Sequence, residues 1–115
     1  MRIYVSRYYE TVTEESAQDG DVADRGEVYT DRLMSIRETI EEIRQGGFTE
    51  PSSSHVHAGV WLTQPDSEID YRTGEHRTES LHFKRDRSPH DTKPAQLTAH
   101  QTRRLLRAAG VRIRG

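Results

Sequence analysis

The chain has 115 residues, is 31% hydrophobic and 31% charged, and has a mean hydropathy of -0.95, which allows one modest core and favours long polar loops or a covering partner. It holds no cysteine, excluding disulfides and thiolate metal sites, and no apolar run near the ~18–20 residues that cross a bilayer. The first residues, MRIYVSRYY, lack the apolar stretch of an export signal, so a cytoplasmic setting is expected.

The net charge of -2 hides a partition. Residues 1–83 carry 8 Arg and 17 Asp or Glu, a net of -9, while residues 84–115 carry 9 Lys or Arg and 2 Asp, a net of +7. Such asymmetry bears on partners more than on fold.

Arg2 to Tyr9 is an expected strand, with Ile3, Val5 and Tyr9 on one face and Tyr4 and Tyr8 on the other. Those tyrosines are ordinary sheet residues or, in the sharper reading, a platform for stacked bases. Thr13 to Gly26 is acidic and turn-rich, with Glu14, Glu15, Asp19, Asp21 and Asp24. It is not a calcium loop. Counted from Asp19, Asp24 stands where that loop needs glycine and Thr30 where it needs glutamate.

Glu27 to Leu33 is a second strand, with Val28 alone, or Tyr29 and Leu33, facing in. Ser35 and Glu38 then form a capping box, and Ile36, Ile40 and Ile43 share one helical face. Gly47 and Phe48 predict a Schellman ending against Ile43. A helix of about ten residues cannot stand alone in water, so it must pack on a sheet.

Gly59 to Thr63 is the expected central strand, with Trp61 as core anchor. After a turn at Pro65 to Glu68, Ile69 to Gly74 is a short extended piece. Arg77 to Lys84 follows, with Leu81 and Phe83 inward and Thr78, Ser80 and His82 outward, in an antiparallel hairpin with the Trp61 strand. A polar linker from Arg85 to Lys93 leads to a second, peripheral helix. Thr98 and Gln101 cap it, Leu105, Leu106 and Ala109 edge it, and Gly110 with Val111 ends it. The expected fold is α+β: an antiparallel sheet of about four strands with one amphipathic helix packed on it and a second C-terminal helix. Residues 1–84 form the core and 85–115 a basic segment of the same domain or an appended one.

Catalysis finds little support. There is no nucleophile elbow and no phosphate-binding glycine loop, and the pairs Asp66/Glu68 and Asp70/Glu75 lie in turns. His55 and His57 point the same way on a strand and are weak metal candidates, with His76, His82 or Glu79 as a third ligand; no cofactor is otherwise implied. Two binding readings remain. The basic one places Arg103, Arg104, Arg107, Arg112 and Arg114 along a nucleic-acid backbone, without interleaved aromatics. The acidic one draws Glu14, Glu15, Asp19, Asp21, Asp24, Glu38, Glu41 and Glu42 to a protein groove built for nucleic acid.

Three stretches, ESAQDGDVADRG (15–26), IRETIEEIRQGGF (36–48) and DYRTGEHRTESLHF (70–83), together resemble small proteins carried by bacteriophages and mobile elements of GC-rich bacteria. The resemblance spans about the first 85 residues and omits the basic segment. It implies a non-enzymatic inhibitor of host defence, such as an anti-CRISPR protein, that binds a host protein or defence complex inside the bacterial cell.

Overall fold

The computed structural model describes residues 2–52, 56, 60–65, 72, 74–85 and 95–113. Strand β1 (Arg2–Thr13) is the spine of an antiparallel sheet, flanked by β2 (Asp24–Ser35) and β5 (Glu75–Arg85). Beyond β5 lie β4 (Leu62–Thr63) and β3 (Glu50–Pro51), and β6 (Ala95–Gln96) pairs the end of β5, giving six strands where about four were expected. The extra strands are two-residue ladders. The α+β class and the hairpin joining the Trp61 strand to Leu81 and Ser80 are as expected.

Helices α2 (Ile36–Gly46) and α3 (Ala99–Ala108) cover one face, and a short α1 (Glu14–Gln18) sits at the turn between β1 and β2. Both longer helices start and stop by the grammar of their sequence. Ser35 Oγ accepts from Glu38 N and Thr98 Oγ1 from Gln101 N, each at 3.1 Å, and each N3 side chain returns a bond to the cap backbone. At the far ends Gly47 (φ 68°) and Gly110 (φ 80°) take the left-handed conformation. Phe48 N then donates to Ile43 O at 3.1 Å and Val111 N to Leu106 O at 2.9 Å. The neighbouring Gly46 has a different role. A Cβ there would lie 2.1 Å from the ring of Phe48, which is fully buried.

One hydrophobic cluster joins Ile3, Val5, Met34, Ile43, Phe48, Leu62, Leu81 and Phe83 to Leu97, Leu105, Leu106, Ala109 and Val111. The C-terminal helix is therefore part of the core, not peripheral. Arg44 ties its end down, donating to the carbonyls of Ala108 and Ala109 at 3.1 and 3.4 Å. Gln64 fixes the end of α2 to the sheet, donating to Gly46 O at 2.8 Å and accepting from Glu79 N at 2.9 Å.

Strands β1 and β2 are both 12 residues long, but their pairing is irregular. Ten residues of β1 face twelve of β2, and the register slips once at Ser6 and once between Arg7 and Tyr8. At the first bulge Asp31 adopts φ 46° and its N–H donates to buried Ser6 Oγ at 2.9 Å. An inserted residue reverses the side-chain alternation, so Tyr29 faces the helices while Leu33, opposite Tyr4, faces away. Val28 is 45% exposed, which rules out the alternative that placed it inward; of the other alternative, Tyr29 turns in and Leu33 does not.

Candidate functional site

The helices cover only part of the sheet. Ile3, Val5, Met34, Leu81 and Phe83 are buried beneath them, but between Arg7 and Leu33 no side chain is fully buried, and none is between Glu75 and Ser80. Among the described residues, the sheet thus runs on as a three-stranded arm with no fully buried side chain. The molecule is accordingly elongated, 48 × 30 × 22 Å, with a radius of gyration of 15.4 Å; a compact chain of this length has about 13 Å. Most of the predicted acidic residues lie on this arm.

On the helix side, a charged network marks where the core stops. Arg7 Nε donates to Glu79 at 2.7 Å, Arg7 Nη1 donates to Glu42, and the Tyr29 hydroxyl donates to the same Glu42 carboxylate at 3.0 Å. Burial alone would pull the Arg7 pKa down, but the two carboxylates outweigh it and hold it above its ordinary value. Burial and the Glu42 carboxylate both push the Tyr29 phenol well above its usual range. Glu42 is therefore committed to the fold, and the α2 carboxylates do not act as one surface. Glu38 closes the capping box, whose hydrogen bonds from Ser35 lower its pKa, and Glu41 is exposed.

Further out on this face, the Arg77 guanidinium stands 4.5 Å from the Tyr9 ring centroid, and the Tyr9 hydroxyl donates to Asp24 at 3.3 Å. The ring crosses Gly26, where a Cβ would meet the Tyr9 hydroxyl at 2.7 Å and the ring at 2.9 Å. Gly26, expected in the loop, is thus a strand residue kept bare for a tyrosine. At the tip, α1 is capped by Thr13 and Ser16, and Glu14, Glu15, Asp19, Asp21 and Asp24 are all exposed.

The opposite face carries an aromatic group. Trp61 stacks on His82 with centroids 4.5 Å apart and planes 20° apart, and tilts against Tyr8 at 5.3 Å. Trp61 is 36% exposed, so it is not the expected core anchor; its neighbour Leu62, fully buried opposite Leu81, fills that role. Alternation along a strand turns one of two adjacent residues outward, and the pairing selects the tryptophan. The outward direction of Ser80 and His82 was legible; the gathering of aromatics around them was not. Beside Trp61 a cavity of about 560 Å³ opens, walled by Tyr8, Glu10, Arg25, Glu27, Thr78 and Ser80 among others.

The other predicted sites disperse. Glu79 and His82 point to opposite faces of β5, and no group of three metal-ligating side chains occurs among the described residues. His55, His57 and Arg114 lie outside the described residues, as does most of the extended piece Ile69 to Gly74. On α3, Arg104 and Arg107 are exposed while the Arg103 Nε is buried, so the three arginines do not form one strip. Among the described residues no helix is long and apolar enough to cross a membrane. Comparison with family models, with curated proteins and with solved structures gives no match.

Proposed function

We propose that this chain is a non-enzymatic binding protein that docks its acidic arm on a basic protein surface, as a phage-derived, anti-CRISPR-like inhibitor of a host defence or nucleic-acid-handling complex would. The observation that carries this reading is the arm itself: a length of sheet on which, among the described residues, no side chain from Arg7 to Leu33 or from Glu75 to Ser80 is fully buried, ending in the exposed carboxylates of Glu14, Glu15, Asp19, Asp21 and Asp24. Exposed aromatics supply anchoring area, and clustered carboxylates supply steering towards cations.

The test is affinity capture from a bacterial host lysate with the wild-type chain and with a Glu14→Lys/Glu15→Lys/Asp19→Lys variant as paired baits. A protein retained by the first and lost by the second supports the reading. Equal retention by both baits contradicts it. Glu42 is unsuitable for charge reversal, because it holds Arg7 and Tyr29 and its loss would perturb the fold.

A further inference from the structure

We infer that the cavity beside Trp61 is where an arginine side chain of the basic partner inserts, an inference that rests on the binding role proposed above and names the chemistry of its anchor. The walls are placed by register. Tyr8 and Glu10 share a face of β1, Glu27 and Arg25 stand opposite them on β2, and Ser80 and Thr78 stand opposite them on β5. Trp61 leans over from the far side to meet Tyr8. The cavity touches Tyr8 and Trp61 but not His82, which stacks on the indole and helps to hold it in place. An aromatic ring held in place by a stacked neighbour is prepared for a ligand without further ordering cost.

The charges on the walls select the occupant. Glu10 and Glu27 both line the cavity against the single cation of Arg25. The Glu79 carboxylate adds nothing to these walls, because it turns to the helix face, where Arg7 and Arg77 engage it. A cation is therefore favoured, next to rings whose π-faces attract one. Arginine fits better than lysine, because a planar guanidinium stacks on an indole while its edge donates to a carboxylate. At about 560 Å³ the cavity is within the usual size of ligand sites. A nucleobase would suit the rings, but its phosphates would meet Glu10, Glu27 and the acidic tip.

Trp61 is the sole tryptophan, so its emission reports the site directly. A fluorescently labelled oligo-arginine peptide is titrated into the full chain, with label anisotropy reading total binding and Trp61 emission reading occupancy of the cavity. Both signals should saturate together. An oligo-lysine peptide of equal length should bind about tenfold more weakly. Glu27→Gln, on an exposed strand position, should weaken the Trp61 response by about tenfold with the far-ultraviolet dichroism unchanged. Binding by anisotropy that leaves Trp61 unchanged, and that is lost in the Glu14→Lys/Glu15→Lys/Asp19→Lys variant, would overturn the cavity while leaving the acidic-arm reading intact. No binding by either signal would overturn both. An equal Trp61 response to oligothymidylate would overturn the arginine assignment in favour of base stacking.

Discussion

The imidazole of His82 lies against the indole of Trp61, 4.5 Å between centroids and 20° from parallel, on the sheet face that the helices leave open. Burial lowers the His82 pKa below its ordinary value, and Lys84 lowers it further, against a smaller opposing pull from Asp31, which pairs with Lys84 at 3.2 Å. Between the depressed folded pKa and the unfolded value near 6.5, the unfolded chain binds more protons. Stability should therefore fall as pH drops through that window and be flat above it. Trp61 emission should be quenched over the same range as the neighbouring ring becomes charged. Denaturant midpoints and fluorescence measured against pH check both, and in His82→Phe both transitions should disappear.

Gly46 and Gly47 separate two reasons for glycine. Gly47→Ala forces an alanine to φ 68° and should cost ~1–2 kcal/mol. Gly46→Ala meets only ordinary helical backbone, yet its Cβ would strike the buried Phe48 ring at 2.1 Å. The cost there should be about 3 kcal/mol or more, since a packed ring must move. Urea denaturation of the two variants should rank Gly46→Ala as the more damaging, the reverse of what backbone conformation alone would give.

Much of this was readable from residues a few places apart, because caps and stops are local chemistry. Ser35 with Glu38, Thr98 with Gln101, and Gly47 and Gly110 as stops are all as their spacing implies. What the sequence hides is set at a distance. Two bulges in β2 undo the alternation from which either Val28, or Tyr29 with Leu33, was placed inward, and nothing in the residues from Val28 to Asp31 announces them. Trp61 is the largest apolar side chain in its stretch, but pairing with β5, not hydrophobicity, determines which of Trp61 and Leu62 turns in. Glu42 resembles any solvated helical acid until β1 brings Arg7, 35 residues away in sequence, against it.

That last contact predicts an asymmetric mutational response. Arg7, Glu42 and Glu79 have side chains 17–25% exposed. Arg7→Ala would leave two carboxylates partly desolvated without their cation and should cost about 2–4 kcal/mol. Arg7→Met combined with Glu42→Gln and Glu79→Gln should recover most of that loss, because no unpaired charge then remains. Thermal denaturation of the single and triple variants reads the difference directly. If the triple variant is no better than the single one, the network matters through hydrogen-bond geometry instead of charge.

Capping offers a smaller, additive check. Ser35→Ala and Thr98→Ala should each cost ~1 kcal/mol. The two caps sit on different helices, so the double variant should lose close to the sum in a single unfolding transition, because both helices pack into one core. Two separate transitions would mean that the α3 segment folds apart from the rest.

The acidic arm is proposed to make contact through its charge. The most direct measurement is the affinity of the partner recovered by wild-type capture, determined against salt concentration for the wild-type chain and for the Glu14→Lys/Glu15→Lys/Asp19→Lys variant. The expected result is binding that weakens steeply with salt in the wild type and falls by at least about tenfold at low salt in the variant. Equal affinities with no dependence on salt would contradict it.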